Sequence, residues 1–159
     1  MKQGFVKVAS ATPRIRVADP VYNAQVICEQ AKEAAEHGAK IVVFPELCIT
    51  GYTCNDLFLQ ELLLEKAKEA LLTIAEETGQ LETLFLVGLP VDKDGRLYNV
   101  AAVLYRGRIL GMIPKKNIPM YAEFYEGRHF TPGEETVTEY RLGKQVIPFG
   151  SNLLFRCEE

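Results

Sequence analysis

Two charged residues stand where apolar segments stop. Glu46 follows Lys40-Ile41-Val42-Val43-Phe44-Pro45, a run of β-branched and apolar residues closed by proline. Lys115 follows Arg108-Ile109-Leu110-Gly111-Met112-Ile113-Pro114 and precedes Pro119 by four positions. A segment apolar throughout reads as a strand covered on both faces, and in open α/β layers ligands bind at the carboxyl ends of such strands. A lone carboxylate delivered there is suited to take a proton, and an ammonium beside it to hold the charge of an oxyanion. The same residues also fit a plainer reading, a solvated acid closing one strand and a solvated Lys115-Lys116 pair closing another. Spacing alone does not bring the two strand ends together.

The elements that must position them alternate. Phe5 to Ala9 has a strand pattern, and Asp19-Pro20 opens a helix whose Val21, Ala24, Ile27, Cys28, Ala31, Ala34 and Ala35 recur at helical spacing until Gly38. A strand from Ile41 to Phe44 follows. The next helix is expected from about Asn55 to Glu77, with Leu57, Phe58, Leu62, Leu63, Ala67, Ala70, Leu71 and Ile74 as its apolar side and Gly79 as its stop. Leu84 to Pro90 is a strand, Asp92-Lys93-Asp94-Gly95 a turn, Asn99 to Tyr105 a strand, and Arg106-Gly107 a tight turn into the run that ends at Lys115. From Asn117 to Gly150 the chain reads as loop-rich, as expected of a segment wrapping a pocket. The order predicts an α/β fold of packed sheet and helix layers, in one domain over residues 1–159.

Composition excludes several classes. With 159 residues, 48% hydrophobic and 25% charged, the chain can bury a sizeable core. A net charge of −3 and sparse arginines (Arg14, Arg16, Arg106, Arg108) argue against nucleic acid as a partner. No stretch approaches the about 18 apolar residues of a membrane span, so no membrane partner is expected and the cytoplasm is the default location. Cys28, Cys48, Cys54 and Cys157 are scattered, without a C-x-x-C pair or a histidine at ligand spacing, so neither a metal site nor a redox motif is expected. With His37 at a helix end and His129 in a loop, a histidine-based hydrolase is poorly supported.

Phe44-Pro45-Glu46-Leu47 with Thr50-Gly51-Tyr52, and Lys115 ahead of Pro119, resemble the carbon-nitrogen hydrolase (nitrilase-like) superfamily, which works through a Glu-Lys-Cys triad. Three longer stretches resemble, more finely, the glutamine-hydrolysing domains of glutamine-dependent NAD synthetases: Thr50 to Phe58, Ile118 to Phe130 and Pro148 to Phe155. The resemblance covers essentially the whole chain. It implies an α-β-β-α sandwich, present here in part. It makes Glu46 the general base, Lys115 the oxyanion-stabilising cation and Glu126 the second glutamate that holds lysine or substrate. Tyr52, Tyr121 and Phe124 fall where those domains have aromatic residues around glutamine, with core packing or a surface hydroxyl as the plainer reading. No cofactor is implied for this domain; ATP and Mg are expected only in a synthetase domain on the same polypeptide, with glutamine and further copies of the chain as the other partners.

One departure stands out. The family's nucleophilic Cys follows the next core strand, and this chain ends at Glu159 before that strand, so a fragment of a longer protein, inactive alone, is expected. Cys157-Glu158 imitates the nucleophile's local sequence, but the preceding Phe149 to Phe155 resembles the strand upstream of it. Two other functions remain open at this point: an amidase or nitrilase-type enzyme for another C–N substrate, and a non-catalytic binding or assembly module.

Overall fold

The computed structural model describes residues 4–157. Its strands are β1 (Val8–Ser10), β2 (Ile41–Val43), β3 (Leu84–Lys93), β4 (Arg96–Tyr105), β5 (Arg108–Pro114), β6 (Thr138–Leu142) and β7 (Gln145–Phe149), and its helices are α1 (Pro20–Glu36) and α2 (Glu61–Glu77). The strands form one seven-stranded sheet in the order β1-β2-β3-β4-β5-β7-β6. β1, β2 and β3 run parallel through the α1 and α2 crossovers, and β3, β4 and β5 form an antiparallel meander. β7 returns parallel to β5, pairing Met112 with Phe149, and β6 closes the edge antiparallel to it.

Alternation along the strands separates two faces. Val42, Phe85, Val87, Leu89, Val100, Ala102 and Met112 are buried with Ile27 and Ala31 of α1 and Ala67, Leu71 and Ile74 of α2 in one core. The opposite face carries Val43, which is 44% exposed, and Leu86, Ala101 and Ile113, which line an open cleft. One helix layer on one sheet layer is half of the α-β-β-α sandwich expected above. α1 begins as the sequence predicts: Asp19 caps it by accepting from the Tyr22 amide at 3.1 Å, and Pro20 fills the first turn where a missing N–H costs nothing.

Several expectations are corrected. The second helix starts at Glu61, not near Asn55, because Tyr52–Leu59 is a 3-10 segment kinked at Asn55 (φ 49°) and Gln60 is extended. Leu57 and Leu62, read as part of the helix's apolar side, are 38% and 69% exposed, whereas Phe58 turns into a second cluster with Leu47, Leu63, Leu97 and Phe130. The stretch 117–150 is not loop throughout, since its last third folds into the β6–β7 hairpin, where Tyr140, Leu142, Ile147 and Phe149 point inward in alternation. The first strand is Val8–Ser10 rather than Phe5 to Ala9, and the hairpin strands run longer than expected, β3 to Lys93 and β4 from Arg96.

Candidate active site

Beyond Val43 the chain leaves the sheet and doubles back on itself. The Cys48 amide donates to Pro45 O at 3.3 Å, and Thr50 and Gly51 amides donate to Leu47 O at 3.1 and 2.7 Å, so Pro45 to Gly51 forms an elbow. Leu47 holds it with φ 52°, a left-handed conformation unfavourable to a bulky residue, and is fully buried. The elbow lies across β3: Phe44 and Ile49 amides donate to Leu86 O and Gly88 O. From outside, Asn23 of α1 clamps it. This buried amide donates to Ile49 O at 2.9 Å and exchanges two hydrogen bonds of 2.7 Å with the Arg16 backbone.

Glu46 projects from this elbow toward the end of β5, where Lys115 waits. The Lys115 amide donates to Asn99 O at 2.7 Å, continuing the β4–β5 ladder by one residue, and Lys115 O accepts from the Gly133 amide at 2.8 Å. Gly133 must be glycine for that approach, because a Cβ there would lie 2.5 Å from Pro114 O.

The side chains converge. Lys115 Nζ donates to Glu46 Oε1 at 2.7 Å and to Glu126 Oε1 and Oε2 at 3.0 and 2.9 Å. Asn99 Nδ2 donates to the same Oε1 of Glu46. Tyr52 donates its hydroxyl proton to Glu126 Oε1 at 2.8 Å. Glu126, on the short 3-10 turn Glu126–Arg128, is buried at 6% exposure, while the Glu46 and Lys115 side chains keep 39% and 30%. Burial works against the Lys115 charge, yet its hydrogen bonds to Glu46 and Glu126 outweigh it and raise the lysine pKa above the ordinary value. The Tyr52 phenol is pushed up to about 12, by burial and by the hydrogen bond to Glu126.

Glu46 and Lys115 open onto a cleft of about 630 Å³ over the uncovered sheet face, lined also by Asn99, Ala101 and Ile113. Tyr52 and Glu126 face a second cleft of about 410 Å³ shared with Glu123, Tyr125, Arg128 and His129. The second cleft's lining is pinned by Asp56, which accepts a two-pronged pair from Arg128 at 3.0 Å and a contact from His129 at 3.1 Å.

Sequence-expected residues thus fall into two groups. Glu46, Lys115, Glu126 and Tyr52 meet in one chain of contacts. Tyr121 and Phe124 stack edge to face on each other at 5.7 Å and line neither cleft. Asn99, Gly88 and Asn23 were not singled out from the sequence. Asn99 had a signal, a lone amide opening the apolar run Val100 to Leu104, and Gly88 had another, a glycine inside a strand, which marks close backbone approach.

None of the four cysteines lines the Glu46–Lys115 cleft. Cys48 is buried, donates weakly to Gly88 O and has its pKa raised to about 11 by burial; Cys28 is raised to about 11 and Cys54 is raised, both chiefly by burial. Such thiols stay protonated and inert near neutrality. Cys157 is exposed. Among the described residues no cluster of His, Cys, Asp and Glu could hold a metal ion, and no helix is long and apolar enough to cross a membrane.

An acid and a lysine delivered from two strand ends, braced by a second buried acid, on a half-sandwich of this topology define a class. The Carbon-nitrogen hydrolase family model matches residues 7–152, and the chain belongs to that family. Its curated relatives include the glutamine-dependent NAD(+) synthetases of Mycobacterium tuberculosis, 38% identical over 158 residues, and of Thermotoga maritima, 36% identical over 135. These alignments take in 99% and 85% of this chain but 23% of each relative, so the chain spans about a quarter of their length. A solved glutamine-dependent NAD(+) synthetase from Cytophaga hutchinsonii superposes with a TM-score of 0.89 at 28% identity, covering 96% of this chain and 26% of that one. An amidase from Nesterenkonia sp. shares the fold, with a TM-score of 0.67 at 24% identity over 90% of this chain and 54% of that one.

Proposed function

We propose that this chain is part of the glutamine-hydrolysing domain of a glutamine-dependent NAD synthetase, and that it supplies the base and the cation of the amidase site. The observation that carries the reading is the Lys115 ammonium held between Glu46 and Glu126 at the mouth of an open cleft. The relatives named above favour glutamine as the amide.

In this reading a cysteine elsewhere in the longer polypeptide loses its proton to Glu46, and the thiolate attacks the side-chain amide carbon of glutamine. The developing oxyanion is held by Lys115 and a backbone N–H. The three Lys115 protons are taken up by three carboxylate contacts, and loosening one of the two to Glu126 turns a donor toward the cleft without removing the charge. Glu46 returns its proton to the departing nitrogen, ammonia leaves, and a γ-glutamyl thioester remains. Water deprotonated by Glu46 then hydrolyses the thioester to glutamate and free thiol, so that glutamine and water yield glutamate and ammonia. Tyr52 keeps its place as a substrate-side hydroxyl tied to Glu126; Tyr121 and Phe124 could join the pocket only by moving.

Hydrolysis needs no cofactor in this domain. ATP and Mg belong to the synthetase domain of the same polypeptide, which would use the ammonia to amidate deamido-NAD. Further copies of the chain are partners in this reading, and four unpaired cysteines favour a reducing compartment, the cytoplasm. The test is ammonia and glutamate release by the full-length protein on glutamine, compared with asparagine and simple aliphatic amides. Glutamine-dependent formation of NAD from deamido-NAD and ATP is the expected result; turnover of another amide with none of glutamine would overturn it.

A further inference from the structure

We propose that Asn99 is a positioning residue that makes the two oxygens of Glu46 inequivalent, reserving Oε2 for the proton. The proposal rests on the reading of Glu46 as general base. Asn99 lies on β4 at 4% exposure, one residue before the apolar run Val100 to Leu104. Its carbonyl takes the Lys115 amide at 2.7 Å, and its side-chain Nδ2 donates to Glu46 Oε1. A single residue therefore sets the height of the lysine and the rotation of the acid.

The consequence for Glu46 is asymmetric. Oε1 receives two donors, Asn99 Nδ2 and Lys115 Nζ, while Oε2 has no hydrogen-bond partner among the described residues. A proton taken from a nucleophile goes to the oxygen whose lone pairs are free. An ordinary strand amide satisfied by its nearest acceptor would make the Nδ2 contact too, but its removal would leave the orientation of the acid unmoved. The other charged groups around Glu46 are Lys115 at the end of β5, Glu126 behind it, and Lys116 paired with Glu135 on the rim of the cleft.

The experiment is a high-resolution crystal structure of the full-length protein in the wild type and in Asn99→Leu, of similar size and without a donor. Without Nδ2 to hold Oε1, the Glu46 carboxylate should turn so that Lys115 no longer meets Oε1 alone, and kcat for glutamine should fall about tenfold while KM changes little. Should Asn99→Leu fail to fold, Asn99→Ala removes the same donor with less bulk and should turn the carboxylate in the same way. A Glu46 carboxylate that superposes on the wild type in a folded variant overturns the proposal. A wild type without activity on glutamine counts against the glutaminase reading alone, because the orientation of the carboxylate is read without turnover.

Discussion

Gly88 of β3 and Leu47 of the elbow meet backbone to backbone: a Cβ on Gly88 would collide with the Leu47 amide nitrogen and stand 2.7 Å from Pro45 O. Glu46 sits between those two elbow residues. Its position is therefore set by a missing side chain on the neighbouring strand, together with the buried Leu47 whose left-handed backbone turns the chain.

Gly88→Ala should displace the elbow rather than the strand, since β3 is fixed on its other side by β4 through Phe85 to Lys93. Overpacking a backbone contact costs about 2 kcal/mol. The expected outcome is a lowered denaturant midpoint with unchanged slope and a large fall in kcat in the full-length protein. Wild-type stability together with wild-type turnover would show that the elbow has room the structure denies it.

Lys115 joins two acids whose needs differ, and a double-mutant cycle separates structure from chemistry. Lys115→Met leaves Glu126, at 6% exposure, with Tyr52 as its remaining side-chain partner, and should lower stability by about 2 kcal/mol, the scale of hydrogen bonds to a charged group. Glu126→Gln added to Lys115→Met removes the stranded charge and should recover most of that loss. Activity should not recover, because the oxyanion still lacks its cation. Recovery of both would reduce Lys115 to a brace for Glu126.

Much of this was legible in the chain. The apolar runs into Pro45 and Pro114 fixed both strand ends, and Asp19-Pro20 fixed the start of α1, because capping and periodicity are local. Glu126 was reached only through resemblance, since nothing around Tyr125-Glu126-Gly127 says that the acid is buried. The 3-10 segment was misread as helix because Leu57 and Leu62 keep helical spacing while facing solvent; what decides there is the tertiary anchoring of Cys54 and Phe58. The β6–β7 hairpin escaped because Thr138 to Phe149 is short and half polar, and its pairing with β5 is a long-range event. Asn23 and Asn99 act through contacts with residues 26 and 53 positions away, which no local pattern encodes.

Tyr52 gives the site an alkaline signature. Its hydroxyl donates to Glu126 Oε1, and burial with that hydrogen bond carries the phenol from its ordinary 10.0 to about 12. A group that binds its proton more tightly folded than unfolded contributes stability that is complete below the unfolded value and declines as pH rises toward the folded one. The Tyr52 contribution is thus intact below pH 10 and is lost between pH 10 and about 12. Lys115, also raised, weakens the fold in the same direction at high pH, and that part persists in a tyrosine variant. Tyr52→Phe should therefore start less stable at pH 8 and then lose stability less steeply than the wild type between pH 10 and 12. Thermal midpoints measured across that interval check it: the two curves should converge, and curves that stay parallel would mean that the phenol titrates no differently in the folded chain.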